Sequence, residues 1–337
     1  MGISLEWNSM NCLVTGGAGF IGSHLAELLL ADGHKVRAID NLSVGSRSNL
    51  VTAMDSSNFS FYEADISDKN SISNLFIDTD WVFHLAGLAD IVPSIENPDA
   101  YFASNVNGTY NIAQLTKEKN VKKVIYAASS SCYGIPSIYP TPENTECNPK
   151  YPYALTKYLG EQILMHWYSV YNLPVTSLRL FNVYGPRART SGTYGAVFGV
   201  FLAQKLANKP FTLVGDGTQT RDFTFVIDVA KAFLAAAKSP KSGLILNVGS
   251  GNSYSINQVI ELLEGPVVNL PKRPGEPDIT FADINAISAE LGWHPEVSLE
   301  EGIRMLKECI SDWKDAPIWD AESIDAATKS WFKYLKA

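Results

Sequence analysis

Ser129, Tyr153 and Lys157 stand in an order that could move a proton at a substrate hydroxyl. Tyr153 and Lys157 are four apart in PKYPYALTKYLG (149–160), a spacing that places both on one face of a helix. A lysine ammonium beside a phenol favours the phenolate, so the pair is expected to lower the tyrosine pKa toward neutrality and make it a usable base. The serine-rich turn AASSSCYG (127–134) lies upstream, where a hydroxyl could share the substrate proton with Tyr153. YxxxK alone occurs by chance. Its weight here comes from the serine before it and from a second cluster at the start of the chain.

That second cluster could hold phosphates. Gly16-Gly17-Ala18-Gly19-Phe20-Ile21-Gly22 follows the apolar run NCLVT and leads into a helical pattern. Gly16 permits a tight turn, Gly19 lets backbone approach a pyrophosphate, and Gly22 allows close helix–strand packing. The new helix offers unpaired N–H groups and a positive dipole end. Such glycines also serve plain turns; here Asp40, about 20 residues on at the end of the next strand, is where a ribose-binding carboxylate belongs. A carboxylate there would repel a 2′-phosphate, and the following Asn41-Leu42-Ser43 is not basic, so NAD is expected over NADP. Asp65 with Ile66, after the third strand, is placed to meet the adenine. Leu85, Ala86 and Gly87, after the fourth, would lie along the cofactor. His84 beside them reads by default as a packed core histidine.

The elements that must position these groups are legible. Residues 11–15, 36–40, 59–64, 80–85 and 123–128 read as buried parallel strands, with helical patterns such as 20–32 and 101–118 between them. Helix 153–171 and strand 174–180 extend the series. Alternation of this kind predicts an α/β fold with a doubly wound (Rossmann) parallel sheet. From about residue 182 Gly and Pro become frequent. We expect residues 1–181 to form the NAD-binding domain, with part of the later chain returning to it, and 182–337 to form mainly a smaller α+β substrate-binding lobe with a helical tail. In that tail Ile324, Ala327, Trp331 and Tyr334 fall at helical spacing, and Trp313, Trp319 and Trp331 are expected to pack it onto the body.

The formal net charge of −8 argues against a nucleic-acid backbone as partner, though a local basic pocket for a diphosphate remains open. Cys12, Cys132, Cys147 and Cys309 show neither CxxC pairing nor metal-ligand spacing, so no metal is expected and reduced thiols are the plain reading. Neither a signal-peptide pattern nor a stretch of roughly 18 apolar residues is present, so no membrane contact and a cytoplasmic location are expected.

Together, TGGAGFIG, HLAG, the serine-rich turn, YxxxK and RLFNVYGPR resemble the extended short-chain dehydrogenases that modify nucleotide sugars, over about residues 10–305. The resemblance implies hydride transfer to tightly held NAD, with Tyr153 as base, Ser129 assisting and Lys157 orienting the nicotinamide ribose. It implies that Asn182, Arg221 and Arg273 serve the nucleotide diphosphate, that the 193–198 segment, with Val197, meets the base, and that the substrate is a UDP-sugar. Arginine suits such a role through its bidentate geometry. Family members commonly dimerise through helices at about 100–118 and 153–171; Ile112, Ile163, Leu164 and Trp167 are compatible with a homodimer and equally with a monomer's core.

The family includes 4-epimerases, 4,6-dehydratases and decarboxylases, all beginning with oxidation at sugar C4. Dehydratases typically carry Asp-Glu after the catalytic hydroxyl, and decarboxylases keep the Glu. Here those positions are Ser130 and Ser131, so a C4 ketone would be reduced again, which is epimerisation. The turn most resembles 4-epimerases of N-acetylated sugars, closest to those of UDP-N-acetylglucosamine. Thr280 stands where glucose-restricted relatives carry a bulky tyrosine, leaving room for an acetamido group. Arg189 matches an arginine that UDP-glucuronate 4-epimerases use near the sugar carboxylate, so that activity stays open. So do a dehydratase or decarboxylase with a carboxylate from elsewhere, and an NAD-binding sensor or scaffold. Polysaccharide synthesis would be a natural destination. The tail 314–337 is longer than the family leads us to expect.

Overall fold

The computed structural model describes residues 9–188, 197–272 and 276–335. Its first half repeats one unit: an apolar strand, a polar or glycine turn, then helix. β1 (Asn11–Thr15) leads to α1 (Phe20–Ala31), β2 (Lys35–Asp40) to α2 (Val51–Met54), and β3 (Phe59–Glu63) to α3 (Lys69–Ile72). β4 (Trp81–His84) is followed by α4 (Ile91–Glu96), α5 (Pro98–Tyr101) and a π-helical stretch, Phe102–Gly108, that runs into α6 (Thr109–Glu118). Then come β5 (Lys123–Ser129), α7 (Pro152–Tyr171) and β6 (Val175–Leu180). The sequence pattern places these strands to within a residue or two at each end, because strands buried on both faces must be continuously apolar; β3, expected buried as well, is the edge strand, where only Phe59 is buried.

The later chain holds β7 (Asn182–Tyr184), α8 (Val197–Leu206), β8 (Phe211–Val214), β9 (Thr220–Arg221), β10 (Phe223–Phe225) and α9 (Val226–Lys238). It continues through β11 (Leu244–Val248), β12 (Tyr254–Ser255), α10 (Ile256–Leu263) and β13 (Val267–Leu270) to α11 (Asn285–Leu291), α12 (Leu299–Glu308) and α13 (Ala321–Tyr334).

One sheet of seven strands runs in the order β11-β6-β5-β4-β1-β2-β3, every neighbouring pair parallel. The strand order reverses between β1 and β4, and the crevice at their carboxyl ends is where a doubly wound sheet receives a ligand. β11 joins this sheet from the later chain, and α9 packs on α1 beneath it. The short pairs β7–β10, β8–β13 and β9–β12 belong to the second lobe. That lobe has its own core, in which Phe198, Phe201, Phe211, Phe223, Leu306 and Trp313 meet.

The structure decides one point the sequence left open, corrects one expectation and adds one contact between thiols that stay free, as expected. Ile112 and Leu164 are fully buried inside the chain, against Val124, Tyr126 and Val175, so they form core rather than an outer helix face; only Ile163 and Trp167 remain partly exposed. On α13 the buried stripe is Ile324, Thr328 and Trp331, and Tyr334 is exposed, because the helix rests on its neighbour along an i, i+4, i+7 line. Finally, two cysteines far from any CxxC spacing face each other: the Cys132 and Cys147 sulfurs are 3.7 Å apart.

Candidate active site

Gly16 adopts φ +71°, and a side chain on it would meet the Ala86 nitrogen at 2.7 Å. Gly22 is tighter still: a Cβ there would lie 2.1 Å from the Gly16 carbonyl oxygen. The first turn of α1 therefore sits directly on the loop, and Gly19 caps it without a side-chain acceptor. The N–H groups and positive end of α1, with Phe20 and Ile21 in its first turn, point at the β1–β4 crevice, as a pyrophosphate requires. Asp40 is buried, accepting from Ala18 N at 3.0 Å and Leu42 N at 2.8 Å. Burial raises its pKa, and these backbone donors oppose the rise. Asn41, just after Asp40, donates to Asp65, the residue expected near the adenine, at 2.8 Å. Ile66 packs under Gly108. The residues present thus fit a dinucleotide: a loop that only glycine can build, a free helix start, and a carboxylate at the second strand's end.

The loop after β4 is held from below. The Thr15 hydroxyl accepts from Ala86 N at 3.2 Å, and the Asn105 side chain clamps Leu88 through both its carbonyl, 2.9 Å, and its N–H, 2.7 Å. Asn105 also donates to Thr156 on α7, 3.0 Å away, tying this loop to the helix that carries Tyr153. Gly87 lies against both Asn105 and the Lys157 ammonium. His84 is a core residue: its two ring nitrogens face Thr15 at 2.8 Å and Thr109 at 2.9 Å, and burial lowers its pKa to about 3.

Tyr153 donates to Ser129 at 3.3 Å, and Ser129 is hydrogen-bonded to Ser131 at 2.8 Å. Ser129 and Tyr153, 24 residues apart in sequence, are thus brought together, and Lys157, one turn along α7, lies against Gly87 and the Tyr126 ring. Their electrostatics differ from the expectation. Burial raises the Tyr153 pKa, and the charge of Asp90 adds to the rise, against the hydrogen bond with Ser129. Burial also pulls Lys157 down to about 7, against the charge of Glu161. The physical reason is that Lys157, 6% exposed, lies 4.4 Å from the centre of the Tyr126 ring in a site poor in solvent, where a full positive charge is costly. At neutral pH its ammonium is only partly populated, so it does not bring the phenol down.

On the second lobe's side, Thr280 donates to Asn182 Oδ1 at 2.8 Å and accepts from Asp222 N at 3.0 Å. Ser130 and Thr280 line one cleft with Tyr133 and Phe181. Arg221 is buried and donates to Glu276 at 2.9 Å. Val197 opens α8, half-buried against the lobe's core. Arg189 and Arg273 lie outside the described residues, as does most of the 193–198 segment.

Several positioning residues escape a reading of motifs. Arg179, on β6, makes a bidentate pair with Glu161 of α7 at 2.6 and 3.0 Å, both side chains nearly inaccessible. Its other nitrogen donates to the Tyr133 hydroxyl at 2.9 Å and to the Glu143 carbonyl at 3.1 Å, so it fastens the serine turn to α7. Tyr151 stacks beside Tyr153, ring centres 6.4 Å apart. Asp222 is fully buried, takes N–H groups from Ser250 and Ala282, and is pushed up to about 6 by burial. A signal for the first pair was present: a lone arginine in an apolar strand and a glutamate four after Lys157.

The model of the NAD dependent epimerase/dehydratase family matches residues 12–249. The chain belongs to that family. Its members include the UDP-glucose 4-epimerase of Mycolicibacterium smegmatis, 38% identical over 87% of this chain and 96% of that one. The UDP-glucuronate 4-epimerase of Thermodesulfobacterium geofontis is 37% identical over 87% and 93%. Among solved structures, the UDP-N-acetylglucosamine 4-epimerase of Methanobrevibacter ruminantium M1, in complex with UDP-N-acetylmuramic acid, superposes with a TM-score of 0.86 at 34% identity, covering 91% of this chain and all of that one. Membership of this family, with the glycine loop, the α1 start and Asp40, makes NAD the cofactor. No group of acidic, histidine and cysteine side chains among the described residues could hold a metal, and no helix among them is long and apolar enough to cross a membrane.

Proposed function

We propose that the protein is a UDP-sugar 4-epimerase that interconverts UDP-N-acetylglucosamine and UDP-N-acetylgalactosamine, with UDP-glucose and UDP-galactose as further substrates. The observation that carries the reading is the all-hydroxyl turn Ser129–Ser131, hydrogen-bonded to Tyr153 and free of carboxylates. NAD, when bound, takes a hydride from sugar C4 and returns it, and its oxidised ring carries positive charge. Tyr153 accepts the 4-hydroxyl proton as the hydride leaves and gives it back on return; Ser129, bonded to Tyr153 and Ser131, holds the hydroxyl in line. Lys157, beside Gly87 on the cofactor side, orients the ribose. With no acid or base at C5 and C6 in this turn, the ketone's remaining course is reduction, on the face the turned ring now presents.

The N-acetyl preference rests on Thr280. Its hydroxyl is engaged by Asn182 and Asp222 rather than projecting as a bulky ring, which leaves space beside C2. Arg221, with Arg273 from the undescribed stretch, is assigned to the diphosphate, and Arg189 to the sugar or phosphate side. UDP-glucuronate is the second reading, favoured by Arg189 and by the family resemblance to glucuronate epimerases. A homodimer, a cytoplasmic setting and a role in polysaccharide synthesis complete the proposal.

The test is an NMR time course with UDP-N-acetylglucosamine, UDP-glucose and UDP-glucuronate offered separately. The expected product is the 4-epimer, fastest from the first. A 4-keto-6-deoxy sugar or a pentose would overturn the argument from the serine turn, and epimerisation of the glucuronate alone would overturn that from Thr280. Tyr153→Phe should abolish turnover while keeping NAD; undiminished turnover removes the proposed base. A protein that binds NAD and turns over none of the three would be a sensor or scaffold.

A further inference from the structure

Beyond the helix that ends at Glu308, the chain leaves the second lobe and crosses to the first. Trp313 is buried in the second lobe's core, and Trp319 is packed on the same core's margin. The Trp319 carbonyl accepts from the Gln204 side chain at 2.7 Å. Gln204 is itself fully buried and satisfied further by Thr212, at 2.8 and 3.2 Å, so this anchor is a fixed one. Asp320 then caps α13, which lies along α4 of the NAD-binding side and bonds to it from Ser330 to Glu96 at 2.8 Å. Burial of Ile324, Thr328 and Trp331 makes this a packed contact rather than a loose end.

Between its two anchors the segment passes a cavity of about 490 Å³. One wall is Ser43 and Val44, from the loop just after Asp40; another is Leu88 and Asp90, from the loop after β4, with Tyr101 beside them. Tyr101 stands 6.5 Å, centre to centre, from Tyr153. The remaining wall includes Trp319. The cavity therefore lies between the loop that follows Asp40 and the loop that follows β4, with Tyr101 standing between it and Tyr153. Its closing aromatic comes from outside residues 12–249 that the family model matches.

We propose that the carboxy-terminal segment is part of the cofactor site: Trp319 supplies one wall of the dinucleotide's cavity, and residues 314–334 act as a clasp holding NAD in place. An aromatic face next to a ribose loop suits a nicotinamide dinucleotide, which has extended apolar rings and sugars to cover once its phosphates are bound. The clasp spans both lobes beside this cavity, so lifting α13 from α4 or turning Trp319 out of the cavity eases the release of NAD. This inference rests on the cofactor and not on the choice of sugar.

The experiment measures NAD itself. Parent protein, Trp319→Ala and a chain ending at Asp315 are purified in parallel, with circular dichroism to check folding. NAD per chain is determined after denaturation, and its loss is followed during dialysis with an NAD scavenger outside the membrane. Removing the wall should speed release about tenfold or more, the consequence of uncovering roughly half of an aromatic side chain's contact. The shortened chain should lose NAD at least as fast, and Trp319→Phe should fall between Ala and the parent. Unchanged NAD content and release rate in Trp319→Ala overturns the proposal, whatever the shortened chain does. A shortened chain that changes oligomeric state yet keeps NAD as the parent does would overturn it as well, and make α13 an assembly element. Neither readout depends on turnover, so failure of the clasp and failure of the sugar assignment are distinguishable.

Discussion

Removing the carboxylate of Glu161 should damage this protein more than most single changes. Glu161 is 1% exposed and Arg179 4%, and they share two hydrogen bonds at 2.6 and 3.0 Å, with Ser177 adding a third to the same carboxylate at 2.9 Å. Burial alone would lower the Arg179 pKa, but the hydrogen bonds and charge of Glu161 overcome it and raise it; an arginine's ordinary pKa is high enough to keep the guanidinium charged without that help. Glu161→Gln therefore leaves a buried cation with a neutral acceptor. Breaking a buried pair in this way costs about 3–5 kcal/mol. For a chain of this length that is a fall in Tm of roughly 4–7 °C. The turn carrying Ser129–Ser131 hangs on Arg179 through Tyr133, so turnover should fall with it. The charge of Glu161 also holds the Lys157 pKa up against burial, so that pKa should drop further below about 7. The assay is thermal unfolding of Glu161→Gln, Arg179→Met and the double variant Glu161→Met/Arg179→Met, with turnover measured alongside. The double variant should lose less than the sum of the singles, because no uncompensated charge remains. If Glu161→Gln melts within about 1 °C of the parent, or the double variant costs the full sum, the pair does not hold the turn as argued.

Gly22→Ala would place a methyl 2.1 Å from a backbone oxygen, so the loop must shift; we expect lost NAD and about 1–3 kcal/mol of lost stability, and full NAD content with an unchanged Tm would contradict that. The Cys147 thiol, lowered mainly by its contact with Cys132, should be alkylated at lower pH than Cys12, which burial pushes well up; peptide mapping after iodoacetamide at graded pH decides it, and equal labelling of the two at every pH would contradict it. His84, neutral when folded with a pKa lowered to about 3, binds a proton only in the unfolded chain between pH 6.5 and 3, so stability falls as pH drops through that window by up to roughly 1.4 kcal/mol per unit. Asp222, raised to about 6, acts with the opposite sign between pH 6 and 3.8, so the comparison is with His84→Gln, whose acid-side slope should be flatter; an identical slope would remove His84 as the cause.

The parallel sheet could be read from sequence because its physical requirement is local. A strand covered on both faces must be apolar without interruption, and NCLVT or WVFH can hardly be anything else between glycine and helix. The glycine loop was legible for a related reason, since strand, turn and helix are contiguous there. Ser129 and Tyr153 lie 24 residues apart in number yet were expected together, because a strand's carboxyl end and the next helix's start meet at the same edge of such a sheet. Ile112 and Leu164 show the limit. Both are apolar on helices that could face a partner, and helical periodicity does not say whether an apolar face covers the chain's own sheet or another chain's.

The electrostatics were not legible, and the reason is instructive for the chemistry. A phenol and an amine at i and i+4 imply a cation beside a base only if water keeps the amine charged. Whether it does depends on Tyr126 and Gly87, which come from two other elements and crowd Lys157 into a dry pocket. The same burial that lowers Lys157 to about 7 makes its charge responsive to whatever occupies the crevice. A bound dinucleotide offering hydroxyl acceptors to that amine would restore the ammonium, and a positively charged nicotinamide ring would favour the phenolate of Tyr153. On the proposed reading the phenol would then become a base only with cofactor in place. If Trp319 holds the dinucleotide as proposed, it would also govern the protonation state on which the proposed chemistry depends.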